Sequence, residues 1–348
     1  MRNGVPLNSR SVPSTIDRCG NPKRVHMADS PQFSVVVPLY NKRPYIRRAV
    51  DSVLGQTFED FEMIVVDDGS TDGSADALQD FADGRMRIIR QANAGVGAAR
   101  NRGMAEAAGC WIAFLDADDA WLPDHLDELA ELAGEFPEAG LLSTTCVEAV
   151  GAQLPVVPKP DGGAARREID YFFEASRRIG VINSTSAAVR RAIVQELGGF
   201  LDKRAGEDLE YWARWALCAP VFKSDKVTCV YFRDTGGVMA SLALQKHSGQ
   251  RRIRHLHEVS PSIAMLCERA EQSPELWNNP SIRAYVNSRL SNGIKGAIYR
   301  GDSEAARDIA AMMISPWTVR ASLFRAVLWL HPQLLRGVSA AYRRFKGL

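Results

Sequence analysis

A chain of 348 residues, 46% apolar and 24% charged, has the make-up of an ordinary globular protein with room for one large domain or two modest ones, which excludes a wholly disordered chain. No run approaches the ~18–20 consecutive apolar residues that a membrane-spanning helix needs. The formal charge of +2 is a cancellation: residues 1–30 carry +3, residues 309–348 carry +6 without one acidic residue, and the body between them carries −7.

Residues 1–30 mix Asn, Arg, Ser, Pro and Gly without periodicity and read as a disordered arm. The arm lacks the apolar core of a secretory signal, and Met27 offers a second start just ahead of the folded pattern. From Phe33 short β-branched runs alternate with helical segments. Strands are predicted at 33–37, 62–66, 86–90, 110–115 and 139–147, with helices over 44–54, from the turn at 72 to about Phe81, from the Gly-rich turn 93–97 to Ala108, and over 123–135. This alternation implies right-handed βαβ crossovers and an α/β fold with a mainly parallel sheet flanked by helices.

Residues 151–167 read as a long surface loop, 184–189 as a β-like run, 207–218 as an amphipathic helix and 228–233 as the last strand of the body. Beyond about 243 the pattern is helical, broken at Pro261, Pro274, Pro280, Pro316 and Pro332. The expected division is an arm (1–30), a catalytic body (31–242) and a helical C-terminal region (243–348). The six cysteines (19, 110, 146, 218, 229, 267) include no Cys-x-x-Cys pair. That speaks against a zinc site and for reduced thiols in a cytoplasmic protein.

Polar clusters fall where the sheet should present its ligand edge, at the carboxyl ends of strands. The segment Asp67-Asp68-Gly69-Ser70-Thr71-Asp72 offers acceptors for a base or ribose beside a Gly turn, and equally reads as a turn with Asp72 capping a helix. Asp116-Ala117-Asp118-Asp119 crowds three carboxylates that repel unless a cation or hydroxyls compensate, and Mg²⁺ typically takes one or two carboxylates plus substrate phosphates. Glu207-Asp208 opens an amphipathic helix, where acids suit the helix dipole and one of them could serve as a general base. Between them, residues 93–103 carry Gly95 and Gly97 entering a helix, with Arg100 where a dinucleotide loop would have its third Gly; backbone and arginine still suit a diphosphate. No Walker loop, Gly-x-Ser-x-Gly elbow or metal-spaced histidine pair is present.

Taken in order, Val-Val-Val-Pro-Leu-Tyr-Asn (35–41), Val-Val-Asp-Asp-Gly-Ser-Thr-Asp (65–72), Asn-x-Gly-x-Gly-x-Ala-Arg-Asn-x-Gly (93–103), Phe-Leu-Asp-Ala-Asp-Asp (114–119) and Gly-Gly-Phe…Gly-Glu-Asp-Leu-Glu-Tyr-Trp (198–212) resemble the family-two inverting glycosyltransferases of the GT-A fold over residues 33–241. The resemblance implies transfer of a sugar from a nucleoside diphosphate donor, UDP-sugars favoured, with inversion at the anomeric carbon. It implies that Pro38, Tyr40 and Asp67 line the nucleoside pocket, that Asp116 faces the ribose and that Arg100 lies beside the donor. Asp118 matches the holder of Mn²⁺ or Mg²⁺, and Asp208 the catalytic base. The Gln-x-x-Arg-Trp motif of processive relatives is absent, so one sugar per encounter is expected. Where some relatives place a metal-assisting His, this chain has Arg233-Asp234.

From Trp317 onward, Phe324, Leu328, Leu335, Val338, Tyr342 and Phe345 recur at helical spacing among six basic residues. Such a segment either lies in a membrane interface or packs back on the body. The membrane reading suggests a lipid-linked or glycan acceptor in envelope or exopolysaccharide synthesis, at the inner face of the cytoplasmic membrane. A sugar nucleotidyltransferase and a non-catalytic sugar- or lipid-binding module are the alternatives. Nucleic acid is not expected as a partner of so acidic a body.

Overall fold

The computed structural model describes residues 30–151, 155, 164–202, 206–233, 235, 255–300 and 302–315. The N-terminal arm up to residue 29 and the basic segment 317–348, with Pro316 and Pro332, lie outside the described residues.

The centre of the sheet is β1 (Phe33–Leu39), buried at every position. Such an unbroken apolar run suits a strand covered on both faces. Phe33, Val35, Val37 and Leu39 point into one core together with α1 (Ile46–Leu54) and α3 (His125–Glu135), while Val36 points into the other. β1 pairs in parallel with β2 (Phe61–Asp68) and β4 (Trp111–Phe114), and β2 with β3 (Met86–Gln91). The other strands are β5 (Ala120–Trp121), β6 (Leu141–Val150), β7 (Arg166–Glu168), β8 (Ala187–Arg190) and β9 (Val221–Arg233). The order is β3-β2-β1-β4-β8-β6-β9-β5, with β7 on β9.

The sheet is mainly parallel, as expected, with short antiparallel pairings at β5, β7 and β8. β8 runs antiparallel to both β4 and β6, and β5 and β7 run antiparallel to β9. The long ladders, β1–β2, β2–β3 and β6–β9, are the parallel ones. The predicted helix running to Phe81 is only a single 3₁₀ turn at Asp76–Leu78. Asp72 accepts from the backbone N–H and the hydroxyl of Ser74, and such local side-chain bonds compete with helix formation. The strand predicted at 228–233 is the second half of a 13-residue β9, and the 151–167 loop ends in β7.

The expectation of reduced thiols is corrected at one pair. Cys146 and Cys229 stand opposite each other in the β6–β9 register and form a disulfide, with their Cα atoms 4.6 Å apart. The close register, which no count of cysteines reveals, puts them within bridging distance.

Beyond the sheet, α4 (Tyr171–Arg177), α5 (Arg191–Leu197) and α6 (Glu207–Cys218) precede, among the described residues, the C-terminal helices α7 (Pro261–Gln272), α8 (Pro280–Arg300) and α9 (Ser303–Ala311). Pro261 and Pro280, read as breaks, are first residues of helices, where a missing N–H costs nothing. Ile263, Leu266, Ile282, Tyr285, Val286, Leu290 and Ile309 join Trp212, Trp215 and Phe114 in one continuous core. The C-terminal helices thereby pack on the body, next to α6. No helix among the described residues is long and apolar enough to cross a membrane.

Candidate active site

Because β1 and β2 are parallel, the turns that follow them share one edge of the sheet. Pro38 pairs with Val66 near the end of β1, and Tyr40 follows, 47% exposed. Asn41 adopts a left-handed φ of 51° and stitches the two turns together. Its Oδ1 accepts from the Thr71 N–H at 2.8 Å, and its own N–H donates to Ser70 Oγ at 3.1 Å. Asp67 is buried and accepts from the Ser70 N–H at 3.0 Å. The neighbouring Asp68 is a brace: its carboxylate accepts from Gln91 Nε2 and from the backbone N–H groups of Ala94 and Gly95, all at 2.8–2.9 Å. It thereby fixes the Gly-rich entry to α2 (Val96–Glu106).

Close packing explains the residue types along α2. A Cβ at Gly97 would stand 2.6 Å from the Leu201 carbonyl oxygen, and one at Gly103 would run into the Val36 side chain. Asn101 grips the backbone of Phe200, its Nδ2 donating at 2.8 Å and its Oδ1 accepting at 2.7 Å. Arg100, expected beside the donor, is 3% exposed and held between two carboxylates. Its Nη2 donates to Asp116 at 2.7 Å and its Nη1 to Glu207 at 3.1 Å, while the guanidinium stacks on Phe200 at 5.1 Å.

The three acids after β4 have different fates. Asp116 remains about a third exposed beside Arg100. Asp118 Oδ2 accepts from Lys42 Nζ and from Thr235 Oγ1, each at 2.6 Å, and Lys42 also donates to the Thr235 carbonyl at 3.0 Å. Asp119 is fully buried, accepts from Thr185 Oγ1 and the Phe232 N–H, and ties the turn before β5 to β9. Burial, reinforced by Asp116 and Asp118, raises its carboxyl well above the usual range. Tyr231 of β9 lies in the same field; burial and these three acids raise its phenol.

Gly206, in a left-handed conformation with φ 79°, turns the chain into α6 and sets Glu207 and Asp208 on its first turn. Asp208 Oδ1 accepts from the Leu209 N–H at 2.8 Å. Burial raises its carboxyl above the ordinary value, outweighing the lowering by Arg100. Glu207 is raised by burial and by Asp208, against the same arginine.

The Arg100 bridge brings Asp116 and the Asp208 turn together, and Lys42 is joined to Asp118. Pro38, Tyr40 and Asp67 lie on the same strand-end edge without direct bonds to these acids. Sequence reasoning missed Lys42, Thr235, Thr185 and the pairing of Glu207 with Arg100. Of these, only Lys42, next to the Pro-Leu-Tyr-Asn turn, carries a local signal.

Residues 34–198 match the family Glycosyl transferase family 2. The putative glycosyltransferase EpsH of Bacillus subtilis (strain 168) is 40% identical over 109 residues, 31% of this chain and 32% of EpsH. The succinoglycan biosynthesis protein ExoW of Rhizobium meliloti (strain 1021) is 48% identical over 101 residues, 27% of this chain and 32% of ExoW. The alignment thus spans about a third of the length of these curated relatives. In fold, the chain is similar to S. aureus TarS 1–349 in complex with UDP-GlcNAc, with a TM-score of 0.64 and 19% identity over 90% of this chain and 92% of that one. With its mixed sheet, its strand-end acids and this likeness, the chain has the GT-A fold, and its residues 34–198 match glycosyl transferase family 2.

Proposed function

We propose that this chain is an inverting, non-processive glycosyltransferase that moves one sugar from a nucleoside diphosphate sugar, UDP-sugars first, to a hydroxyl of a glycan or lipid-linked acceptor. The observation that carries this reading is the Arg100 bridge, which holds Asp116 at the end of β4 to Glu207, the neighbour of Asp208. Pro38, Tyr40 and Asp67 then face the nucleoside and Asp116 the ribose. Asp208 takes the acceptor hydroxyl proton, the freed oxygen bonds to the anomeric carbon, and the bond to the diphosphate breaks on the opposite face. One base in line is all that inversion needs.

Among the described residues no group of three acidic, His or Cys side chains is arranged to hold a metal. Asp118 nonetheless fits a divalent cation shared with a diphosphate: it is a partly exposed carboxylate already facing a positive charge. Mn²⁺ or Mg²⁺ held there would neutralise charge on the departing diphosphate. A role in envelope or exopolysaccharide synthesis is supported by the likeness to ExoW, and UDP by the likeness to the UDP-GlcNAc complex of TarS. The basic segment 317–348 would reach a lipid-linked acceptor from the membrane surface.

A panel of nucleotide sugars incubated with Mn²⁺ tests the reading. Release of free nucleoside diphosphate supports it, and release of pyrophosphate would identify a nucleotidyltransferase instead. The rate should also carry an acid limb. Asp208 acts only when deprotonated, and burial raises its carboxyl, so activity should rise with pH through a midpoint above the ordinary ~4 of an aspartate. Initial rates across pH would reject this assignment if the midpoint lay at or below that value. Lys42 competes with any cation for Asp118, so Lys42→Met should tighten Mn²⁺ binding by at least about tenfold, roughly the 1.5 kcal/mol at the low end for a hydrogen bond to a charged group. Electron paramagnetic resonance of free Mn²⁺, recorded without nucleotide, reads this directly; unchanged binding would mean that Lys42 does not guard the carboxylate.

A further inference from the structure

The head of α6, which carries Asp208, abuts the C-terminal helices. A Cβ on Gly206 would stand 3.5 Å from Cδ of Pro261, the first residue of α7. The next residue, Ser262, accepts a hydrogen bond from the Tyr285 hydroxyl of α8 at 2.9 Å. The Tyr285 ring lies against the guanidinium of Arg289, one helical turn on, at 4.7 Å from the ring centroid. Tyr285 also packs on Tyr171 of α4, with centroids 6.2 Å apart. The Ser281 hydroxyl, donating to Asp170 at 2.5 Å, fastens the start of α4 to the start of α8.

Within this polar seam two side chains leave buried polar atoms without a hydrogen bond. Arg289 is 9% exposed, and its Nε and Nη2 are buried without a hydrogen-bond partner. The Tyr171 hydroxyl is likewise buried without a hydrogen bond of normal length, and it interacts with the Tyr285 hydroxyl. Burial, and then Tyr285, hold its phenol well above the usual range, so it is a neutral donor, and it lies within the fields of both Arg289 and Asp208. Two guanidinium N–H groups buried without an acceptor are unfavourable, and unsatisfied buried polar groups of this kind point to a functional role or a bound ion. Nε and one Nη form the edge of the guanidinium that grips a planar oxyanion side-on through two parallel bonds. An anion reaches that edge by a rotation of the arginine or of its aromatic wall, an ordinary change at binding surfaces.

We propose that Arg289, with Tyr171, forms an oxyanion subsite beside Asp208 that takes a phosphoryl or carboxylate group carried by the acceptor. The inference rests on the transferase reading and narrows it: the acceptor is anionic, and its charge is read by the C-terminal helices rather than by the sheet edge. The acceptor hydroxyl would then be presented to Asp208 by a contact that a neutral sugar cannot make.

The test uses the full chain with saturating UDP, which occupies the donor side, and titrates glycerol 3-phosphate, glucuronate and, as a neutral control, glycerol by calorimetry. The wild type should bind at least one of the two anions and not glycerol, and which anion binds identifies the phosphoryl or the carboxylate source. Arg289→Met should weaken that binding at least tenfold, and Tyr171→Phe should weaken it less. UDP affinity should stay the same in both. Arg289→Met should also raise Tm without ligand, because it removes two buried N–H groups that lack an acceptor. If Arg289→Met fails to fold, Arg289→Lys decides, since it keeps the charge, loses the side-on fork and should bind the anion more weakly. Equal anion binding in wild type and variants, no anion binding to a wild type that binds UDP, or a lowered Tm in Arg289→Met would each overturn the proposal. A wild type that fails to bind UDP would strike the transferase reading instead.

Discussion

Asp208→Asn is expected to leave donor binding intact and to lower transfer by about 10²–10⁴-fold, the range a general base contributes. The substitution is nearly isosteric, and an amide oxygen can still accept from the Leu209 N–H that Asp208 now holds at 2.8 Å. Arg100 keeps both of its partners, Asp116 and Glu207, so the bridge across the site survives. Only the ability to take a proton is lost. Stability gives a second, independent reading. A carboxyl raised in the folded state stabilises the fold below its pKa, and that advantage is lost as pH rises through the folded value. Burial raises Asp208 in this way, so the wild type should lose stability relative to the Asn variant as pH climbs past the ordinary carboxylate range. Nucleoside diphosphate release in the presence of acceptor, calorimetric titration with UDP and melting at several pH values make the three measurements. Near-normal turnover in the variant would remove Asp208 from the chemistry.

Asp208 and Asp116 stand out in the sequence because their signals are local. Each lies at the boundary of a strand or helix, beside a Gly turn or an apolar run that fixes its position without reference to the rest of the chain. The glycines of α2 were legible for the same reason, although their purpose was not. Gly97 and Gly103 give way to Leu201 and Val36, contacts that only the packed structure displays. Pairings across the chain were out of reach. Lys42 meets Asp118 across 76 residues and Arg100 meets Glu207 across 107, and no periodicity encodes such encounters. The bridge between Cys146 and Cys229 depends on the register of two strands, one of which was predicted at half its length. The helix expected after Asp72 failed for a local reason of another kind. Asp72 spends its carboxylate on Arg43 and Ser74, so the turn closes on itself before a helix can propagate. Prolines at 261 and 280 were read as stops because sequence alone does not tell a helix end from a helix start.

Arg100→Met should cost both stability and activity, and its pH dependence should tell why. The guanidinium side chain is 4% exposed and serves Asp116, which is 31% exposed, and Glu207, which is 10% exposed. Breaking a buried pair by deleting one partner costs about 3–5 kcal/mol, because the remaining charge stays in place without compensation. Solvent reaches Asp116 and discounts its share, so Glu207 bears most of the loss and the lower figure, about 3 kcal/mol, is the one to expect. At ~2–4 °C per kcal/mol for a domain of this size, Tm should fall by roughly 10 °C. Arg100→Lys should fall between, since one ammonium cannot span both carboxylates and the stacking on Phe200 is lost. Arg100 also lowers the carboxyls of Glu207 and Asp208 against the burial that raises them. Without it both should rise further, which fixes the sign of the pH effect. The deficit in Tm should be largest at alkaline pH, where both acids are charged, and should shrink as pH falls and they take up protons. The acid limb of the rate should move the other way, to higher pH, so that part of the lost activity returns in alkaline buffer. Melting curves and initial rates collected across the same pH series read both effects, and a variant with the wild-type Tm and an unmoved limb would mean that the bridge holds nothing together.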